Sequence, residues 1–460
     1  MSDSGLLFGI DERPPVGKSM TAAVAHLLAI VGGIATAPLI IARGLNLDLA
    51  LTTYVVASAL VISGIATFIQ IRRFGPLGSG VLSVQGTSFA FVGVFIYAGL
   101  DLQSAGLDNE TVLGTLVGTA AVGGAMTMVL SYFLRYVSAI ITLKVAGITV
   151  FLLGLSLVWV AWGNLSFAVV AANVKGSNAL WVYLQAVIVI AVIIFFSTRR
   201  NAWLKLSSIM LGLFTGMMFA WLTDSFDQPF PTELPPVFLV QFLPFALHFD
   251  GIVFLLLAPI FLVSTIESIG DLTATSMLSG RSVTGPEYWL RLRGGVMADG
   301  FNTVLASLFG TFPNTTFSQN NGVIRLTGVA SRFVGLVSAV LLILLGCIPW
   351  FSALFRMLPG GVLHGATGLM FGSIMLTGLR VLRTQPNQPR VLLMLVCCTL
   401  GAIGLTQTTT LLANINIATP AYVQMLTNFP VASGALIAMT WEGLALLIRT
   451  PASTQNTQRD

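Results

Sequence analysis

The sequence predicts an all-α polytopic membrane protein of about fourteen transmembrane segments. Three observations carry this: the composition, the length of the apolar runs, and the alternation of charge between them. Of 460 residues, 55% are hydrophobic and 8% are charged, whereas a soluble domain carries about 25% charged residues. Apolar runs of about 20 residues, long enough to cross the hydrocarbon as helices, recur from Met20–Ile41 to Val431–Ile448. Strands of a membrane barrel would instead alternate apolar and polar residues, and the runs show no such alternation.

The expected segments, in order, are 20–41, 51–70, 80–100, 111–133, 138–160, 178–197, 203–222, 251–276, 290–310, 311–328, 332–355, 358–380, 389–406 and 429–448. The leading stretch MSDSGLLFGIDERPPVGK is polar and acidic and lacks the pattern of a signal peptide, so the first segment is expected to stay uncleaved. Arg72, Arg73, Arg135, Arg199, Arg200, Lys205, Arg281, Arg291, Arg293, Arg332, Arg380, Arg383 and Arg390 fall at alternate loops. The loops between them hold Asp48, Asp101, Asp108, Glu110, Asp224, Asp227 and Glu233. Basic loops stay cytoplasmic, so both termini, with Arg13, Lys18, Arg449 and Arg459, are expected on the cytoplasmic side. The formal charge of +5 is thus a topology signal, and no nucleic-acid partner is expected. Cys347, Cys397 and Cys398 lie inside apolar runs and read as packing, not as disulfides.

Two segments are poor helices. The third contains GSGVLSVQGTSF (Gly78–Phe89) and the tenth FPNTTFSQNNGVIRLTG (Phe312–Gly328). They are the third members of two halves of seven, and an odd number of segments per half inverts the second half, giving a 7+7 inverted repeat. Paired breaks at equivalent places in inverted repeats point to a transporter's binding site. Non-helical backbone survives at membrane depth only beside protein or a water-filled cavity. Each of the two is therefore expected to be a half-helix plus a short extended stretch, lining a substrate cavity.

Charges within the segments are few, and each is a functional candidate because burying it is costly. Glu267 and Asp271 share one helix face in STIESIGDLTATS. A carboxylate accepts hydrogen bonds and suits a ligand offering N–H donors. Asp271 reads more as a structural partner of nearby hydroxyls. Asp299, after the close glycines of GGVMADGFNT, is a candidate proton carrier, with a structural anchor as the alternative. His26 reads as a packed hydrogen-bonding residue before a proton relay, and His248 and His364 lie near segment ends. Gln319 offers an amide that pairs bidentately with the edge of a heterocycle, while Asn320 suits side-chain bonds to the broken backbone. Phe89 is placed to stack on a flat ring. Arg325 reads equally as a site residue or a pairing residue, and Lys144 and Glu442 as interfacial or structural. No Walker loop, HExxH or Cys/His metal cluster is present. An enzyme is therefore not expected, no cofactor is implied, and transport would be secondary.

These residues resemble a family. Gln319-Asn320-Asn321-Gly322-Val323-Ile324-Arg325-Leu326-Thr327-Gly328 matches the motif of the nucleobase-ascorbate transporters, and DERPP, AHLLAI, SVQGTSFAFV, ESIGDLTATS and GGVMADG extend the resemblance to its purine branch and the bacterial xanthine permeases. The resemblance implies a homodimeric proton symporter of the bacterial inner membrane, with no cofactor beyond the coupling proton. A core domain (20–133 and 247–355) would move against a gate domain (138–222 and 358–448), between tails 1–19 and 449–460. By the same resemblance, Glu267 and Gln319 bind substrate, Phe89 stacks on it and Ser88 lies near it, where xanthine permeases can carry Asn. Asp299, His26 and Asn320 serve coupling or organisation. Two departures stand out: Arg325 occupies a position that is Gln in xanthine permeases, and Leu143-Lys144 replaces a Thr-Pro-Thr-like opening. The expectation is import of a purine nucleobase, foremost xanthine. Uric acid or a broader purine range (guanine, hypoxanthine), an anion transporter of related fold, and a non-transporting membrane sensor are the alternatives.

Overall fold

The structure, a computed structural model, describes residues 6–136, 142–174, 179–226, 236–414, 427 and 429–448. It divides into two compact units, Met1–Tyr132 with Leu157–Gly372, and Phe133–Ser156 with Ser373–Asp460. The expected charges Asp227, Glu233, Arg449 and Arg459, and the tail 449–460, lie outside the described residues.

The chain opens with α1 (Val16–Gly44), entered through Pro14-Pro15, whose fixed backbone suits a helix start. Asp48 then caps α2 (Leu49–Arg72), accepting from the Leu51 N–H at 2.8 Å. An extended stretch leads into β1 (Gln85–Thr87), a short 3-10 turn and α3 (Val92–Ser104). Asp108 caps α4 (Asn109–Leu130). There follow α5 (Leu143–Val174), α6 (Ala179–Ser197), α7 (Ala202–Leu206) and α8 (Ser208–Leu222). The second half begins with α9 (Gly251–Leu278) and α10 (Pro286–Leu308), then β2 (Asn314–Thr316) and α11 (Gln319–Thr327). It ends with α12 (Arg332–Gly346), α13 (Pro349–Arg356), α14 (Gly360–Arg383), α15 (Gln388–Asn414) and α16 (Pro430–Ile448).

Among the described residues, eight helices are long and apolar enough to cross a membrane, or nine if the bent pair α12 and α13 is one span. That pair departs from the expected straight segment 332–355: it bends by 76°. The cause is local. Ile348 is extended (φ −94, ψ 102) before Pro349, as the residue preceding a proline prefers, and proline has no N–H to continue the helix. The expected segment 203–222 is likewise cut at Ser207 into α7 and α8. The expected 138–160 is shifted, since its helix starts at Leu143 and runs on to Val174.

Small residues set the packing of the first unit. A Cβ on Gly124 would meet the Gly300 carbonyl oxygen at 2.7 Å, and one on Gly300 would meet the Gly124 oxygen at 2.5 Å. Hence α4 and α10 touch backbone to backbone, as close helix packing in a bilayer requires. In the same way Gly64 and Gly346 bring α2 against α12. Within the second unit, Gly147 and Gly378 do so for the facing stretches of α5 and α14, and Lys144 pairs with Glu442 at 3.7 Å.

The amino-terminal residues are tied to the first unit as a strap. Phe8 bridges in parallel to Val329, the Leu7 N–H donates to the Gly328 oxygen at 2.8 Å, and the Arg332 N–H donates to the Ile10 oxygen at 2.9 Å. Asp11 then joins Arg281 and Arg332, 2.8 Å from each. The strap therefore holds the chain just after α11.

Candidate functional site

The site grows from the two irregular stretches. β1 and β2 pair antiparallel with Gln85 opposite Thr316, Gly86 opposite Thr315 and Thr87 opposite Asn314. β1 leads through the 3-10 turn into α3 and β2 through Phe317-Ser318 into α11, so the partial positive charge of a helix start lies toward each end of a sheet about 10 Å long. The Phe317 ring fills the space beside the sheet, where a Cβ on Gly33 of α1 would meet it at 2.8 Å and one on Gly86 would collide with it. Only glycine at both places admits that ring.

Hydroxyls on α9 fasten this centre. Ser268 donates to Asp299 of α10 and lies 3.1 Å from the Thr315 hydroxyl of β2. Thr316 donates to Asp271 at 3.4 Å. Thr275 donates to the Asn321 side-chain oxygen at 2.6 Å, and the Asn321 amide donates back to the Asp271 carbonyl at 3.4 Å. One face of α9 thus grips α10, β2 and α11 together. Ser264, Ser268, Asp271 and Thr275 recur at helical spacing in the sequence, a polar stripe of which the sequence reading singled out Asp271, together with Glu267.

Around this frame the candidate residues divide by what they are bonded to. Asn320 is buried, and its amide donates to the Leu82 oxygen at 2.6 Å, tying α11 to the extended stretch before β1. His26, fully buried on α1, lies beside Asn320, yet neither ring nitrogen closes a hydrogen bond. Ser88 is spent on its own turn, accepting from the Ala90 N–H at 3.3 Å while its N–H donates to the Pro313 oxygen at 2.9 Å. Phe89 is 7% exposed, edge-on to Phe371 with centroids 5.3 Å apart and 6.3 Å from Phe317.

Glu267 and Gln319 differ from these. Both are half-buried, and neither makes a hydrogen bond with a described residue. Asp299 keeps one carboxylate oxygen unpaired beside the Gln85 side chain. Three carboxylates, Glu267, Asp271 and Asp299, therefore gather within electrostatic reach of one another. Arg325, by contrast, lies in the last turn of α11 and is exposed. It is about two helical turns from Gln319.

Glu267 and Gln319 are thus two hydrogen-bonding side chains left without a partner among the described residues, close to the paired strands. A profile described as "Permease family" matches residues 17–412. Over 444 residues the chain is 36% identical to xanthine permease XanP of Escherichia coli (strain K12), with 95% of this chain and 94% of that protein covered. The chain belongs to the nucleobase-ascorbate transporter family. This family member is also 36% identical over 439 residues to xanthine permease XanQ of the same organism, covering 95% of this chain and 93% of XanQ. It is 28% identical over 454 residues to the putative purine permease CPE0397 of Clostridium perfringens (strain 13 / Type A), covering 99% and 96%. Among solved structures, it matches the transmembrane domain of the cyanobacterial bicarbonate transporter BicA with TM-score 0.57 at 13% identity, covering 94% of this chain and 98% of that one. SLC26A9 matches with TM-score 0.56 at 13% identity, covering 95% and 67%. At such identity the likeness shows the fold alone. This nucleobase-ascorbate transporter therefore shares its helical framework with both proteins.

Proposed function

We propose that this permease imports a purine nucleobase, foremost xanthine, as a secondary transporter driven by proton symport. The observation that carries the reading is the pair Glu267 and Gln319, which face no hydrogen-bonding partner among the described residues. The Glu267 carboxylate accepts from ring N–H groups, and the Gln319 amide both donates and accepts along the heterocycle's edge. Phe89 supplies an aromatic face for the ring. The 36% identity to xanthine permeases supports this substrate class.

In this mechanism the proton enters at Asp299, which Ser268 links to the α9 face carrying Glu267. Protonation lets the four-segment halves of the core close on the purine, and the core then swings across the gate to open inward. The fourteen segments form a 7+7 inverted repeat in this reading, with the third and tenth broken at β1 and β2. The protein sits as a homodimer in the bacterial inner membrane with both termini cytoplasmic, and needs no cofactor beyond the coupling proton.

Ser88 favours a second purine reading. Its hydroxyl accepts from the Ala90 N–H and can donate only its single O–H, where Asn would offer an amide, so uric acid or a broader purine range is the second reading. An anion substrate is disfavoured, because three carboxylates gather at the centre.

Labelled xanthine uptake by cells lacking their own purine permeases tests the proposal. Uptake is expected to be saturable, abolished by an uncoupler and blocked by xanthine analogues before uracil. Stronger competition by uric acid moves the assignment to the second reading. Xanthine uptake indifferent both to the uncoupler and to Asp299→Asn would refute symport.

A further inference from the structure

Between α2 and α10 lie buried polar groups that the binding site leaves unused. Gln70 of α2 and Gln85 of β1 are fully buried, and neither side-chain amide has a partner among the described residues. Ser63 Oγ, Asn302 Oδ1 and one oxygen of Asp299 are unpaired as well. Each such group costs about 1–3 kcal/mol if it stays dry. Ordered water bridging such groups would satisfy them.

These groups stand in line. Gln85 lies beside Asp299, and its N–H donates to Thr67 Oγ1 at 2.9 Å. Thr67 stands one turn from both Ser63 and Gln70 on α2. Asn302, one turn beyond Asp299 on α10, donates to the Ala66 oxygen at 3.3 Å. One turn before Asp299 is Gly295, and a Cβ there would sit 3.3 Å from Gln70 Nε2. The Gln70 carbonyl accepts from the Gly80 N–H at 3.1 Å and from Ser79 Oγ at 3.4 Å. Two and three residues past Gln70, Arg72 and Arg73 are exposed. At the other end, a cavity of about 10 Å³ bounded by Ser268, Asp299, Thr303 and Asn314 has room for one water.

We propose that Gln70 and Gln85 order a file of water between Asp299 and the face bearing Arg72 and Arg73, and that the proton carried by Asp299 leaves along it. The proposal rests on the symport reading above. As Asp299 ionises, its proton passes to the adjacent water and from water to water toward the surface; no bond in the purine is made or broken. The amides hold the waters and do not take the charge, so Gln70 and Gln85 are positioning residues. The charged groups around the route are Glu267 and Asp271 at its inner end, and Arg72, Arg73 and the neighbouring Arg291 at its mouth. Removing Gln70 leaves the purine's contacts intact but interrupts the route.

The test compares wild type with Gln70→Met in membrane vesicles. Xanthine counterflow, which exchanges substrate without net proton release, is read against net uptake driven by an imposed proton gradient, in water and in deuterium oxide. The expected result is near wild-type counterflow, net uptake lower by about tenfold or more, and a larger solvent isotope effect. Ser63→Ala, a small deletion, reads the same split should Gln70→Met fail to reach the membrane. Equal loss of both activities, or loss of neither, overturns the route while leaving symport standing. Wild-type protein that takes up xanthine without a proton overturns the symport reading and the route with it.

Discussion

At the residue scale, the site separates side chains that are spent from those that are kept free. Asn320 is spent on the Leu82 carbonyl. Asn320→Ala leaves that carbonyl unpaired in the interior and is expected to cost about 1–3 kcal/mol of stability, read as a lower melting temperature in detergent. Glu267 is kept free, so Glu267→Gln is expected to spare stability. Losing the charge-assisted bond costs about 1.5–3 kcal/mol, roughly 10- to 150-fold in xanthine affinity. Binding calorimetry on purified protein separates the two variants; if E267Q binds as tightly as wild type, the carboxylate is not the substrate's partner. Glu267 and Gln319 stood out in the sequence because a charge or amide is rare against so apolar a background, and the structure leaves both without a hydrogen-bonding partner among the described residues. The partners Ser268, Thr275 and Thr315 were not. A serine or threonine in a helix can bond its own preceding turn, as Thr265 does to the Phe261 oxygen at 2.8 Å, and only packing decides which hydroxyl reaches across.

At the scale of elements, close approach and capping carry the site. The Gly124 and Gly300 contact holds α10, and with it Asp299, against α4. Gly300→Val has nowhere to put its branches and is expected to lower stability by about 1–3 kcal/mol or more, measured as loss of monodisperse protein on size exclusion. Asp250 caps α9, accepting from the Ile252 and Val253 N–H groups at 2.8 and 2.9 Å. Asp250→Ala is expected to cost about 1 kcal/mol in thermal unfolding without altering which purines compete. The α4 cap behaves similarly with pH. The Thr111 hydroxyl and N–H hold the Asp108 carboxyl below its ordinary range. A depressed folded value means that this stabilisation is present above the unfolded pKa and is lost as pH falls through the folded one. A pH titration of unfolding should therefore show no contribution from Asp108 to any change in the neutral range, with Asp108→Asn as the control. The bend at Pro349 was within reach of the sequence but was hidden by hydropathy, which averages across a break that a single residue makes.

At the scale of the whole molecule, apolar run lengths revealed a helical membrane protein, and the eight full-length helices among the described residues come from those runs. The strap of Phe8, Ile10 and Asp11 against Val329, Arg332 and Arg281 was not legible, because its partners lie far apart in the chain and no local pattern joins them. The ion pairs of Asp11 are exposed and worth little singly, at most about 1 kcal/mol each. Asp11→Asn is accordingly expected to leave unfolding almost unchanged, as a denaturation curve of the variant would show.

The two-stranded sheet has a consequence for biosynthesis. Gln85–Thr87 leaves the ribosome long before Asn314–Thr316 exists, and until then the edge of β1 has no mate. A newly inserted first half must hold that edge in water or in the insertion machinery, since lipid offers it no hydrogen bonds. The two-stranded sheet at the candidate site is therefore completed late, when the second half arrives and zips onto the first. Two fragments divided between α8 and α9 would each be inert when made alone, and would recover purine binding only when made together in one cell.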